Sequence, residues 1–173
     1  MIKPTKLTAK YVRSILDYRP VTGEFIWKVR KGIIPIARPA GTILRQPHSQ
    51  NEYRLVYIDN KSYRAHRLAW LYMTGKWPTN DIDHKNGNSL DNRWSNLREA
   101  TNSQNAMNSR RRSDNTSGVT GVYWNTSANK WQAYITPEGK KTLYLGVFAT
   151  LAAAKNARAE AANKYFGEFA RSA

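Results

Sequence analysis

The first half of the chain alternates short apolar runs with polar ones, a pattern that predicts several short elements. Thr8 can cap a helix that runs to about Tyr18, with Val12, Ile15 and Leu16 on one face. Beyond it, Arg-Pro and Thr-Gly pairs end the helical pattern. The next element is therefore expected to be a strand.

Strand and hairpin patterns follow. Glu24–Val29 is predicted to be a strand, and residues 30–50, rich in Pro, Gly and basic side chains, are predicted to be a basic loop with little regular structure. Glu52–Ile58 and Lys61–Ala65 are predicted to pair across an Asp-Asn turn. A short apolar helix at His66–Met73, closed by Gly75, completes this half.

The second half predicts a separate sheet and helix. Val119–Asn125, Lys130–Thr136 and Thr142–Phe148 alternate with a period of two, so they are expected to be strands. Thr150 can cap an Ala-rich helix that ends near Gly167. One sheet face should pack on the helix through Val122, Trp124, Trp131, Ala133, Ile135, Leu143, Leu145 and Val147. The chain is thus expected to be an α+β protein.

The excess of basic residues indicates which class of partner the chain binds. Lys and Arg number 28 against 12 Asp and Glu, so the formal net charge is +16. The electrostatic repulsion among these basic residues decreases when a polyanion binds, and nucleic acid is the first candidate. An anionic membrane surface is the alternative, but no apolar run is long enough to span a bilayer. The N-terminal residues also lack a secretory signal core, so we expect a cytoplasmic protein that binds no membrane.

The absence of cysteine constrains any metal site. With no Cys in the chain, thiolate zinc sites and cysteine nucleophiles are excluded. A metal would be held by His, Asp, Glu or Asn, a set that suits Mg²⁺ or Mn²⁺. We expect one such ion per active site and no small-molecule cofactor.

Residues 81–108 are crowded with Asn and Asp and are too polar to form a core. Such side chains hold loops or bind a ligand. A run of three arginines and a small polar stretch follow. We therefore expect a basic N-terminal region (residues 1–60) that contacts DNA, a catalytic region (61–112), a linker (113–118) and a C-terminal domain (119–173).

The chemistry-bearing residues lie in that polar segment. Asp83 and His84 are adjacent on a predicted strand, and an Asn from a following helix is a reasonable third member of the same site. A neutral imidazole can take a proton from water, and a divalent ion can stabilise the charge of a phosphodiester under attack. These residue types can therefore supply the nucleophile and the charge stabilisation that phosphodiester cleavage needs, although an Asp-His pair alone is common.

The segment resembles the HNH endonucleases, specifically the homing group encoded by phages and introns. The resemblance is carried by His66-Arg67-Leu68-Ala69-Trp70, Ile82-Asp83-His84, Gly87, Asp91-Asn92-Arg93, Asn96-Leu97-Arg98 and Asn105. It implies a ββα-metal core and metal-dependent cleavage of double-stranded DNA. The third letter of the motif is Asn here rather than His, which favours Mg²⁺ or Mn²⁺ over zinc.

The resemblance also implies a role for each matched residue. His84 would be the general base, and Asp83 and Asn105 would be the metal ligands. Asn96 would hold the loop between the strands, with Asn92 in the same structural motif. One active site per chain favours nicking of one strand; a double-strand break would need a dimer or a second encounter, so the chain is expected to be a monomer or weak dimer.

Several basic residues have two interpretations. Arg93 and Arg98 could clamp phosphate by bidentate pairing or could brace Asp side chains. His66 is expected to be structural, with phosphate contact as the alternative. Arg110, Arg111 and Arg112 are candidate DNA contacts.

The C-terminal half resembles the AP2 DNA-binding domain over residues 117–169. Gly121-Val122, Lys130-Trp131, Ala133, Ile135, Tyr144-Leu145-Gly146-Val147-Phe148 and the Ala-rich helix carry the likeness. A sheet face laid into the major groove is implied. Because Thr120, Tyr123, Thr136 and Thr142 stand where plant members have arginines, no target sequence is inherited. The candidate DNA contacts are Tyr123, Asn125, Lys130, Gln132, Tyr134, Thr136, Lys140, Lys141, Thr142 and Tyr144.

Three rival functions stay open. An inert nuclease fold could serve a DNA-binding regulator, although an intact Asp83, His84 and Asn105 argue against decay. A ribonuclease is a second rival, but no RNA platform with paired aromatic motifs is evident. The C-terminal module could also contact protein rather than DNA.

Overall fold

The protein has a mixed α+β fold, with several small antiparallel sheets. The structure is a computed structural model and describes residues 7–30, 32, 36–45, 52–107 and 115–170. In these residues the elements run in the order α1 (Ala9–Ile15), β1 (Leu16–Arg19), β2 (Glu24–Trp27), β3 (Thr42–Arg45), β4 (Glu52–Ile58), β5 (Lys61–Arg64), α2 (Ala65–Thr74), β6 (Asp81–His84), β7 (Leu97–Ala100), α3 (Asn102–Met107), β8 (Val122–Asn125), β9 (Lys130–Ile135), β10 (Leu143–Phe148) and α4 (Leu151–Phe166). No helix in these ranges is long and apolar enough to cross a membrane.

The chain divides into two compact units, residues 1–100 and 101–173. This division falls earlier in the chain than the predicted linker at 113–118. The first unit also runs across the predicted limit at residue 60. The functional limits of the domains stay a prediction, whereas the packing units are these two.

One hydrophobic core joins the N-terminal elements of the first unit to the later ones. Buried side chains from Leu7 to Leu97 form a single cluster, which includes Val12, Phe25 and Leu68. Three antiparallel sheets surround it, namely the β1–β2 pair, the β3–β4–β5 sheet and the β6–β7 pair. The N-terminal region is therefore part of the same folded body as β6 and β7.

The first helix is shorter than predicted. Thr8 caps it as expected, its hydroxyl accepting the Tyr11 N–H at 3.3 Å. The helix ends at Ile15, and the prediction that it reaches Tyr18 is wrong because Leu16–Arg19 pairs with β2. Leu16 and Tyr18 are both buried, two positions apart, which is the spacing of one face of a strand.

The prediction of an irregular stretch at 30–50 is wrong for Thr42–Arg45. These residues form β3, an edge strand paired with β4. All four side chains are exposed, so the sequence has no inward apolar repeat to reveal the strand. Residues 31, 33–35 and 46–51 lie outside the described residues.

The central hairpin and helix agree with prediction. Glu52–Ile58 is β4, and Asp59 and Asn60 both adopt positive φ, as a tight two-residue hairpin turn requires. Helix α2 ends at Gly75, which has φ 79° and donates its N–H to the carbonyl of Leu71. The left-handed cap explains why glycine stands there.

The second unit contains the predicted three-stranded antiparallel sheet and helix. The strand order is β10–β9–β8, and the Thr150 hydroxyl caps α4 by accepting the Ala153 N–H at 3.2 Å. Val122, Ala133 and Ala154 form the buried centre between sheet and helix. The predicted helix-facing positions of Val122, Ala133 and Ile135 are all buried.

The helix-facing prediction for Val147 is wrong. The register shifts between Tyr144 and Gly146, so Val147 lies opposite Gln132 and Phe148 lies opposite Trp131. Phe148, rather than Val147, therefore packs against the core. The extra residue of a β-bulge reverses the alternation that the sequence suggests. Trp124 lies opposite Trp131 and shares its sheet face, as predicted, but it is 43% exposed because β8 is the outermost strand.

Candidate functional site

Asp83 and His84 lie at the end of β6, where the strand pairs with β7. Asp83 is opposite Arg98 and His84 is opposite Leu97. Both side chains are buried, at 5% and 6% exposure respectively. Adjacent ionisable groups buried at a strand end are expensive to maintain unless they are paired, so their partners define the site.

Arg98 is the partner of Asp83. Its Nε and Nη2 atoms donate to Asp83 Oδ2 at 2.9 and 2.7 Å. Both side chains are nearly inaccessible to solvent. Of the two interpretations of Arg98, bracing an Asp is the one that this geometry supports.

Asn92 is the partner of His84. The imidazole Nε2 lies 3.3 Å from Asn92 Oδ1, and Asn92 is only 2% exposed. Burial lowers the pKa of His84, against the opposing effects of Asn92, Asp83 and Asp91. His84 is therefore neutral near neutral pH, the state in which an imidazole can accept a proton.

His66 packs against the ring of His84. The two ring centroids are 5.0 Å apart at 89°, and Tyr53 contacts His66 from another direction at 5.6 Å. His66 is 4% exposed, and burial, followed by the nearby His84, lowers its pKa to about 3. A buried, uncharged ring of this kind fits the structural role rather than phosphate contact.

The loop between β6 and β7 is held by Asn96 and its neighbours. Asn96 Oδ1 accepts the Asn86 N–H at 3.0 Å, and its Nδ2 donates to the Asp91 carbonyl at 2.7 Å. Both bonds are to backbone groups, which is the role that the family resemblance implies for Asn96. The loop thus has a fixed path from His84 to β7.

Asp91 and Arg93 form a pair at the outer side of this loop. Arg93 Nε donates to Asp91 Oδ1 at 2.8 Å, and the hydrogen bond from the Arg93 side chain is the main cause that lowers the pKa of Asp91 to about 2. Arg93, like Arg98, pairs with a carboxylate here. Its exposed guanidinium can still approach a phosphate.

The remaining predicted site residues of this segment come later in the chain. Asn105 is in α3 of the second unit, where its N–H bonds to the Thr101 carbonyl at 2.9 Å, and its role as a metal ligand stays a prediction. Arg110, Arg111 and Arg112 lie outside the described residues.

Three tyrosines cross the outer sheet face of the second unit. Tyr123, Tyr134 and Tyr144 come from successive strands, with centroid distances of 6.5 Å and 5.3 Å along the row. Tyr123 and Tyr144 are more than half exposed. We call this row the tyrosine band. The bulge also exposes Val147 beside it, which alternation in the sequence did not predict.

Most polar groups near the tyrosine band are hydrogen-bonded to each other. The Tyr134 hydroxyl donates to Gln132 Oε1 at 3.0 Å, and the Thr136 and Thr142 hydroxyls are 2.8 Å apart. Asn125 is half-buried and accepts the Ala128 N–H, so it holds a turn. The exposed cations of the predicted set are Lys130, Lys140 and Lys141.

Sequence reasoning missed two features of these sites. Tyr18 donates its hydroxyl to the Asn92 carbonyl at 2.7 Å, across 74 positions of sequence, and no local pattern reveals such a contact. The bulge had a signal, because a glycine inside a strand pattern often marks one, and Gly146 is such a residue.

Comparisons with known proteins identify the family of the segment that contains Asp83 and His84. A family model described as HNH endonuclease matches residues 63–107. Protein 3.8 of Escherichia phage T7 is 35% identical over 82 residues, which are 47% of this chain and 68% of that protein. No solved structure gives a significant match. The chain therefore carries an HNH endonuclease domain at residues 63–107 and belongs to the same family as Protein 3.8 of Escherichia phage T7.

Proposed function

We propose that the chain is a metal-dependent endonuclease that hydrolyses phosphodiester bonds of double-stranded DNA. The observation that carries the proposal is the buried Asp83–His84 pair at the end of β6, inside the segment that matches the HNH endonuclease family. A lone Asp-His pair is common. Here each member has a fixed partner, which is the preorganisation that catalysis needs.

His84 is the proposed general base. Its pKa is lowered by burial, so the imidazole is uncharged at the pH where the enzyme would work. It takes a proton from the water molecule that attacks the scissile phosphorus. The Asn92 contact holds the ring while this happens.

The donor set near His84 suits a hard divalent ion. The described residues contain no cluster of three or more His, Asp or Glu side chains able to hold a metal. Mg²⁺ is commonly bound by one or two carboxylates, with phosphate oxygens and water completing the shell, and Asp83 supplies such a carboxylate. A bound Mg²⁺ or Mn²⁺ would neutralise charge on the phosphate and assist departure of the leaving oxygen.

Asp83 has to serve both Arg98 and the ion. Arg98 binds the Oδ2 atom, which fixes the plane of the carboxylate. A fixed carboxylate presents its oxygens without loss of side-chain entropy at the moment of binding. Arg98 would thus orient the ligand rather than clamp the substrate.

The second unit is the proposed DNA anchor, similar to an AP2 domain. The support is the tyrosine band, with Lys130 and Lys141 exposed in the same unit. The sheet packs on α4 with one face, and on the other face Tyr123 and Tyr144 are more than half exposed. A sheet face of this kind can enter a major groove. A homing-type phage enzyme that nicks one strand fits this pairing of a catalytic domain and a distal anchor.

The test is cleavage of a supercoiled plasmid, with a second substrate carrying sequence from the neighbourhood of the gene. The unaltered protein should convert supercoiled plasmid to open circles with Mg²⁺ or Mn²⁺ and should fail to do so with EDTA. Asp83→Ala and His84→Ala should each lose cleavage by at least about a hundredfold, the usual contribution of such groups.

A matched control variant, Asp81→Ala, separates loss of catalysis from loss of the folded structure. Asp81 lies on the same strand, is exposed, and is 3.9 Å from Arg67, at the limit of an ion pair. Asp81→Ala should cleave normally. Intact plasmid in every lane, on both substrates and with tight DNA binding, would instead favour the regulator. Near-normal cutting by His84→Ala would remove that residue from the mechanism.

A further inference from the structure

The β1–β2 hairpin touches the loop that carries Asn92. The Tyr18 hydroxyl donates to the Asn92 carbonyl at 2.7 Å. Two residues beyond Tyr18, the carbonyl of Pro20 accepts the Trp94 N–H at 2.9 Å. These bonds hold the carbonyl of Asn92 and the N–H two residues after it, so the hairpin fixes the backbone at and just beyond this residue.

Gly23 brings the hairpin into direct contact with the same backbone. It has φ +77°, and a Cβ at this position would come within 2.5 Å of the Arg93 nitrogen. Only glycine permits both the left-handed conformation and this close approach. Backbone therefore packs on backbone here, which leaves the loop little room to shift.

The orientation of Asn92 decides which nitrogen of His84 carries its proton. Asn92 Nδ2 donates to the Leu90 carbonyl at 3.2 Å, so the amide oxygen is the atom that faces His84 Nε2. An amide oxygen can only accept a hydrogen bond, so Nε2 must be the donor. In the neutral ring the lone pair that accepts a proton is then on Nδ1.

We propose that Tyr18 and Asn92 are positioning residues that together fix His84 in the tautomer with its proton on Nε2, so that Nδ1 is the basic atom. The inference rests on the proposed role of His84 as general base. It gives the N-terminal hairpin a part in catalysis, and DNA contact by residues 1–60 stays a prediction. The Tyr18 hydroxyl acts through Asn92 and does not touch the substrate.

The first experiment replaces Tyr18 by Phe, which keeps the ring and removes only the hydroxyl. Cleavage under saturating substrate should fall about fivefold to tenfold, the effect of losing one buried hydrogen bond in the active conformation, while KM stays unchanged. Asn92→Leu should lose more, because its side chain touches His84 directly. A long-range nitrogen–proton NMR spectrum reports which ring nitrogen of His84 is protonated, and it should show a mixture of tautomers in both variants.

The matched control is Tyr72→Phe. Tyr72 packs on Tyr18 in the same aromatic group, with ring centroids 5.7 Å apart, but it is not bonded to Asn92. This variant should keep both the rate and the His84 spectrum of the unaltered protein. Equal losses in Tyr18→Phe and Tyr72→Phe would mean that the aromatic group only supports the fold, and would overturn the inference.

The NMR spectrum also separates this inference from the proposed function. Recorded above the ordinary pKa of an imidazole, the unaltered protein should show the proton on Nε2. A proton on Nδ1 would overturn the inference even if the protein cuts DNA. A proton on Nε2 in a protein that cuts no DNA would support the positioning contact and overturn the nuclease.

Discussion

Two imidazoles lie edge to face in the first unit, and each has a lowered pKa. His84 keeps a hydrogen-bonding partner in Asn92, whereas His66 is packed by the rings of Tyr53 and His84. Burial disfavours the charged form in both. At the residue scale, His84 is therefore a candidate base, and His66 is an uncharged ring that packs beside it.

The burial of His66 should make the folded protein less stable in acid. The pKa of His66 is about 3 in the folded protein and about 6.5 when unfolded. The unfolded chain therefore binds a proton that the folded chain excludes, so this contribution is present above pH 6.5 and is lost as the pH falls toward 3. The free energy of unfolding should decrease by about 1.4 kcal/mol per pH unit in that window because of this residue.

Urea unfolding at a series of pH values would measure this. His66→Phe keeps an aromatic ring against Tyr53 and His84 but cannot titrate, so its stability should fall less steeply with acid. Carboxylates affect both proteins equally and cancel in the comparison. Parallel curves for the two proteins would show that His66 is protonated in the folded state.

At the residue scale, the sequence was enough to pick out the candidate site residues, but it did not predict which side chains they contact. The Asp83–His84 pair and the loop-holding Asn96 are visible as a spaced motif. Whether Arg98 contacts phosphate or Asp83 depends on the pairing of β6 with β7, which puts the two side chains opposite each other. Tyr18 could not be connected to Asn92, because the contact depends on tertiary packing of distant segments.

At the scale of elements, the β1–β2 hairpin depends on one glycine. Gly23→Ala should lose about 1 to 2 kcal/mol from the left-handed backbone and a further 1 to 3 kcal/mol from the clash with the Asn92–Arg93 backbone. Gly75→Ala is a matched control, with φ +79° and open space around its Cβ. Gly75→Ala should therefore lose only the about 1 to 2 kcal/mol that comes from the left-handed backbone.

Chemical denaturation of both variants gives the comparison directly. A second readout is DNA cleavage at a temperature where both are folded, at which only Gly23→Ala should be slow. Equal destabilisation of the two variants would contradict the close approach between hairpin and loop.

Elements with a buried face were predicted well, and those without one were not. Strand β4 alternates in sequence, helix α4 is marked by the Thr150 cap and its many alanines, and both were placed to within a residue or so. Strand β3 has four exposed side chains, so its only structural signal is pairing with β4. In β10, a period of two describes the sequence, but the bulge near Gly146 changes the face that follows.

At the scale of the whole molecule, the net charge of +16 should govern DNA affinity. Each phosphate that a Lys neutralises releases counterions, so affinity falls as salt rises. Replacing Lys130 and Lys141 by Gln should lower the slope of log affinity against log salt by about two. The same change at Lys155 and Lys164, on α4, is the control and should leave the slope nearly unchanged.

Binding would be measured by fluorescence anisotropy in EDTA, so that no metal-dependent cleavage occurs. Equal slopes for both pairs of substitutions would mean that the charge acts diffusely and that the sheet face has no special part. A slope that stays unchanged when Lys130 and Lys141 are replaced would remove the sheet face of the second unit as the anchor.

The shared core of the first unit sets a limit on transplanting this HNH domain. Residues 63–107 carry the family match, yet Leu68 and Leu97 are buried in a cluster that also contains Val12 and Phe25. A graft of the matched segment alone would leave that apolar surface in water and would lose the hairpin that holds Asn92. The smallest piece worth moving into another protein is therefore the folded body from Leu7 onward, not the motif by which the family is identified.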